Sequence, residues 1–117
     1  MKMKVLVYDN ELGYYQMLKD NIVTGFDFVL YRNGQTSKGF DVVVFFLNNQ
    51  IEAIDMLKLY NEDIPFVLGI INGHNNIQHR DNAYIINIAQ TYDEIEASMR
   101  NLFNELELIY ENEKALN

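Results

Sequence analysis

Short apolar runs alternate with helical stripes along this chain. Val5-Leu6-Val7-Tyr8 ends at Asp9-Asn10, as a buried strand ends at a polar loop. From Glu11 to Ile22 the spacing turns helical, with Leu12, Tyr15, Leu18 and Ile22 in one stripe at steps of three and four. Asn10 stands before it as the N-cap candidate, and Tyr14 and Met17 fall on its flank as a small patch. Phe26 to Tyr31 predicts a second strand, closed by the turn pair Asn33-Gly34. Phe40 to Leu47 predicts a third, rich in β-branched and aromatic residues from Val42 to Phe46. A second helix is expected from Gln50 to Tyr60, with Asn49 as cap and Ile51, Ala53, Ile54 and Leu57 inward. Pro65 to Ile71 is a fourth strand, stopped by Asn72-Gly73. A polar stretch then runs to Asn82, and Ala83 to Ile88 is a fifth strand.

The last helix has the strongest signature. Thr91 and Glu94 form a capping box, in which each side chain satisfies a free backbone donor of the first turn. Behind it, Ile95, Met99, Leu102, Phe103, Leu106, Ile109 and Tyr110 fall within an arc of roughly 120°. Strands that are apolar throughout and alternate with helices imply a parallel sheet covered on both faces. The fold class predicted is therefore α/β. Specifically, it is a three-layer, doubly wound, flavodoxin-like sandwich with five parallel strands in the order 2-1-3-4-5.

One joint strains that arrangement. A parallel return from the second strand to the third usually takes a dozen or more residues with a helix. Arg32 to Gly39 supplies eight, which reach roughly 26 Å. The return climbs about 16 Å and crosses two strand spacings of about 5 Å. It fits without a helix, and an antiparallel hairpin of these two strands is the alternative.

Composition narrows the function. A chain of 117 residues is the size of one domain, and 49% apolar residues with 13% aromatics fill a core. There is no cysteine, which removes disulfides, thiolate metal sites and cysteine nucleophiles. The net charge of −8 repels phosphate backbones and anionic lipid, so neither nucleic acid nor membrane is expected as a partner. The apolar runs are too short to span a bilayer. The start, Met1-Lys2-Met3-Lys4, lacks the apolar stretch of a signal peptide. A cytoplasmic protein is expected.

In a doubly wound sheet, ligands collect at the carboxyl ends of the strands. Those ends carry Asp9-Asn10-Glu11, Phe46-Leu47-Asn48-Asn49, Ile70-Ile71-Asn72 and Asn87-Ile88. In the order and spacing of these strings, the chain resembles the CheY-like receiver domain of two-component response regulators over nearly its whole length. Val5 to Glu11 is similar to the family's first strand with its acidic pair, and Asn33-Gly34 to the turn after its second strand. Phe40 to Phe46 is similar to the strand that ends on the phosphorylated aspartate. Ile64 to Leu68 and Tyr84 to Asn87 are similar to the fourth and fifth strands.

The departures define what the resemblance implies. Receivers take a phosphoryl group onto a carboxylate, with magnesium, a hydroxyl and a lysine stabilising the charge. Phe46 stands at the phosphoacceptor position, Ile70 at the hydroxyl and Asn87 at the lysine. The acidic pair is reduced to Asp9 with Asn10, and Ile88 stands where the family has a proline. The family's second helix is missing between Arg32 and Gly39, and its fourth is reduced within Asn72 to Asn82. The resemblance thus implies a pseudo-receiver of the phosphorelay family, with no catalytic residues, no metal and no cofactor. It would be a signalling module that works by protein–protein interaction.

Receivers commonly dock partners through the fourth helix, fifth strand and fifth helix. Tyr84 stands at the family's aromatic switch position on that face, and Tyr92 opens the last helix. The stripe of that helix is longer than a strand, so Leu106, Ile109 and Tyr110 are expected to overhang the sheet and to hold a second copy of the chain. Leu108 lies alone on the opposite side. His74, His79 and Asp81 lack metal-ligand spacing and are read as loop residues. No nucleophile elbow surrounds Ser37 or Ser98, and no glycine-rich phosphate loop is present. The alternative to a docking module is a small α/β enzyme or ligand-binding protein using Asp9, Glu11 and Asn87.

Overall fold

The first apolar run becomes β1 (Met3–Tyr8), followed by α1 (Gly13–Asn21) and β2 (Phe26–Leu30). β3 (Val42–Phe46) leads through a 3-10 turn (Gln50–Glu52) into α2 (Ala53–Leu59). Then come β4 (Phe66–Ile70), β5 (Gln78–Arg80), β6 (Ala83–Asn87) and α3 (Tyr92–Leu116). The structure is a computed structural model and describes residues 2–10, 13–22, 25–71 and 77–116.

The strands form one mixed sheet of six in the order β2-β1-β3-β4-β6-β5. Five are parallel, in the predicted sequence of neighbours. The sixth, β5, is antiparallel to β6 and corrects the expected purely parallel five-stranded sheet. Gln78-His79-Arg80 has nothing apolar to bury and is exposed. Its backbone still completes the open edge of β6, since unpaired strand donors and acceptors seek partners. Asp81 makes the turn at φ 54°, in the left-handed region that aspartate tolerates. The His79 ring lies flat on Tyr84, with centroids 3.9 Å apart. The rest of the expected loop, residues 72–76, lies outside the described residues.

β2 and β3 flank β1 and both run parallel to it, so the hairpin alternative is overturned. The crossing from Tyr31 to Asp41 has no helix. It turns twice, with Gln35 N bonded to Arg32 O and Phe40 N to Ser37 O. Gly34 (φ 88°) and Gly39 (φ 86°) take left-handed conformations there that a side chain would strain. Tyr31 and Phe40 tie the crossing to the α2 side of the sheet.

Because alternate strand residues face opposite sides, the sheet buries two separate clusters. Val42, Val44 and Phe46 point to the larger one, beneath α1 and α3. Val43 and Phe45 point to the smaller one, with Leu6, Tyr8, Leu59 and Phe66. α3 supplies Ile95, Met99, Leu102, Phe103 and Leu106, all at most 1% exposed. Each is worth roughly 1.5–3 kcal/mol of burial. Phe103 meets Phe26 and Phe28 edge-on, at 4.9 and 5.4 Å. The Thr91–Glu94 capping box is present, each backbone amide bonded to the other's side chain at 3.3 Å.

α2 is rotated from the orientation its apolar spacing predicts. Ile51, Ile54 and Leu57 are 82%, 62% and 73% exposed. The face toward the sheet is instead Glu52, Asp55, Met56 and Leu59, with Glu52 and Leu59 buried. Polar anchors cause this. Asn49 and Glu52 form a reciprocal capping box, and Glu52 Oε1 also accepts from Asn48 N at 2.7 Å. Its other oxygen accepts from Asn10 Nδ2, and Tyr8 Oη donates to Asp55 Oδ2 at 2.8 Å. A buried carboxylate has to keep these donors, whereas aliphatic side chains on a two-turn helix tolerate water at modest cost.

Replacing Glu52 with alanine leaves the Asn48 amide and Asn10 amide group without their acceptor. Glu52→Ala is expected to lower the unfolding free energy by about 1–3 kcal/mol in urea titration. An unchanged midpoint would show that α2 is held by Leu59 alone.

Candidate functional site

At the carboxyl edge, β1 hands over to Asp9 and Asn10, which turn to opposite faces. Asp9 is 4% exposed, and its Oδ2 accepts Tyr15 N, in the first turn of α1, at 2.8 Å. A carboxylate there also meets the positive end of the helix. The cap assigned to Asn10 thus belongs to Asp9. Asn10 points instead to the α2 side, toward Glu52 and, at 3.4 Å, the Tyr8 hydroxyl. Glu11 and Leu12 lie outside the described residues.

Phe46 follows Phe45, which pairs with Tyr8, so it comes level with Asp9 on the α1 side. Its ring is fully buried. It is stacked on Tyr14 at 4.6 Å and 18°, and Tyr14 in turn lies on Tyr92 at 5.5 Å. On the other side the ring presses on Gly69, its neighbour in β4. A Cβ on Gly69 would sit 2.7 Å from Phe46 Cδ1 and 3.0 Å from Ile88 Cγ2. Ile70 and Asn87 pair across β4 and β6. Asn87 is 5% exposed. Its Oδ1 accepts Ala89 N at 3.0 Å, and its carbonyl accepts Gln90 Nε2 at 2.7 Å.

The structure therefore brings Asp9 and Phe46 to one corner and Ile70 and Asn87 to the next, and it separates Asn10 from Asp9. The corner is filled by rings. Among the described residues, no group of three histidines or acids is placed to hold a metal ion. Tyr14 and Met17, read from sequence as a flank patch, face inward, and Met17 is buried. The legible signal for Tyr14 was glycine: a side chain at Gly13 would strike the Tyr92 hydroxyl, and one at Gly69 the Phe46 ring.

The expected interaction residues separate as well. Leu106 is 1% exposed and belongs to the core, so it does not overhang the sheet. Tyr84 is 7% exposed, whereas Tyr92 and Ile109 remain about half exposed. Tyr110 packs against the core from its edge. Among the described residues, His79 contacts only its own turn and Tyr84, with Nε2 2.6 Å from Asp81 O. His74 lies outside the described residues.

Among the described residues, Tyr8 is the most perturbed titratable group at this edge. Burial first, and then its hydrogen bond to Asp55, push its phenol up to about 12. A phenol whose pKa is raised on folding stabilises the fold while protonated. That contribution is complete below the unfolded value near 10 and is lost as pH rises toward about 12. Stability is expected to fall by about 2–3 kcal/mol over that window, and Tyr8→Phe is expected to flatten this part of the curve. Denaturant titrations of both chains across the alkaline range provide the check.

The chain matches no known family model, and no curated protein or solved structure shows significant similarity to it.

Proposed function

We propose that this chain is a flavodoxin-like pseudo-receiver, a non-catalytic signalling module of the two-component type that acts by docking protein. The order of its five parallel strands supports this, as do helices on both faces and the positions of Asp9, Phe46, Ile70 and Asn87 at the strand ends. The observation that carries it is the Phe46–Tyr14–Tyr92 stack. Phosphoryl transfer to a receiver needs a carboxylate nucleophile and a hard cation held by several anionic oxygens. At this corner a phenyl ring takes the nucleophile's place, and Asp9 is committed to the α1 amide. With no charge change available there, no ligand biases the domain between two states.

The partner surface is assigned to α2 rather than to the last helix, and the partner to a second copy of the chain. Ile51, Ile54 and Leu57 form a short exposed aliphatic row at steps of three, which an antiparallel copy of itself complements about a two-fold axis. Burying three such side chains on each protomer yields roughly 10 kcal/mol. That is comparable with the about 4–15 kcal/mol that association costs, so a weak, reversible dimer follows.

Two measurements test the two halves separately. Incubation with acetyl phosphate and magnesium is expected to leave the intact mass and melting temperature unchanged. A phosphoryl adduct, or a magnesium-dependent rise in melting temperature, would favour the enzyme or ligand-binding alternative around Asp9 and Asn87. Sedimentation at about 0.1–1 mM, the range such a weak dimer requires, is expected to show a dimer that Ile54→Glu converts to monomer. A monomer throughout, indifferent to Ile54→Glu, removes the dimer. Leu106→Glu would not serve, because it places a charge in the core.

A further inference from the structure

The opposite end of the sheet holds a cleft of about 330 Å³, within the range of small-molecule sites. Its floor is Met3, where β1 begins, and Tyr84, the second residue of β6. Ile64 and Pro65, before β4, form one wall, and Leu106, Ile109 and Tyr110 of α3 form the other. Asp41, Asp63 and Glu113 supply its charge, and no basic residue lines it among the described residues.

We propose that this cleft binds an organic cation, a primary ammonium group carried on a compact apolar body. Charge is the first reason: every charged residue that lines this apolar hollow among the described residues is acidic, and an ammonium ion answers a carboxylate with charge-assisted hydrogen bonds. Tyr84 is the second. It is more than nine-tenths buried, yet its hydroxyl takes no hydrogen-bond partner among the described residues. No fully buried side-chain oxygen there lacks a partner, so this hydroxyl meets solvent, and the cleft is the opening beside it. Burial and the nearby Glu105 carboxylate raise its pKa, which keeps the phenol neutral and able to accept an ammonium N–H.

The site is also built in advance. Asp41 Oδ2 is held by the Lys4 amide at 2.9 Å. The loop bearing Asp63 is pinned by Asn82, whose Nδ2 donates to Asn61 O at 2.9 Å and Ile64 O at 2.7 Å. Tyr60 Oη holds the other end of that amide at 2.7 Å. A rigid cleft loses less entropy when a ligand enters.

The test is an NMR titration of the full chain with 2-phenylethylammonium, with 3-phenylpropionate as the anionic control of similar size. Only the ammonium is expected to give saturable shifts at the amides of Ile64, Tyr84 and Ile109. Asp63→Asn, at an exposed position, is expected to weaken binding about tenfold, and Tyr84→Phe about threefold. Each variant's spectrum reports whether it remains folded. Equal shifts with both probes, no saturable shift with either, or undiminished affinity in folded Asp63→Asn would each overturn the proposal. Because the cleft lies at the other end of the strands from Phe46, none of these outcomes bears on phosphorylation.

Discussion

The carboxyl edge of this sheet depends on one contact, the ring of Phe46 against the bare Cα of Gly69 in the next strand. A methyl group at Gly69 would push the ring aside, and with it Tyr14 and Tyr92, which stack outward in turn. Given that contact, the corner closes on aromatic carbon. Asp9 then receives the first-turn amide of α1. A carboxylate beside a hydrated cavity could serve a cation; one beside a packed ring serves the backbone. The chemistry proposed to be lost and the packing gained are thus the same event at residue 46.

The α2 side works by the opposite logic. Its hydrophobic cluster is small, and orientation comes from the buried Glu52 carboxylate, tied to the exposed Asn10, Asn48 and Asn49, with Tyr8 and Asp55 beside it. Two faces of one sheet are therefore held by different forces. Beneath α1 and α3, broad apolar area decides. Beneath α2, hydrogen bonds that have to be made decide, and the aliphatic row is left outside.

That contrast explains what the sequence revealed. The strand neighbours, the unaided crossing and the capped last helix were all legible, because long apolar periodicity and local capping act in the direction of the tertiary structure. α2 was not, since over two turns the pattern of Ile51, Ile54 and Leu57 carries less weight than one buried carboxylate whose partners lie at Asn10 and Asn48. β5 was hidden because three polar residues have no periodicity; only the open edge of β6 gives them a place. At the site, the residues aligned with strand ends were found where sequence put them, but Tyr14 was missed. Its role arises from a stack between separate elements, marked only by glycines at 13 and 69. Leu106 was misplaced because stripe length alone does not say how far the strand starts reach beneath a helix.

The helix-free crossing between β2 and β3 has a consequence for the order of assembly. In an ordinary parallel return, a local helix forms early and carries the next strand into place. Here the eleven residues Tyr31–Asp41 make only two tight turns of their own, so closing them relies on β1 already offering both its edges. Loop closure of this length is inexpensive in entropy, but it rewards nothing until the third strand arrives. The three-stranded unit β2-β1-β3 therefore condenses as a whole, with β2 fixed by β1 on one side and by the rings of Phe26 and Phe28 against Phe103 on its face.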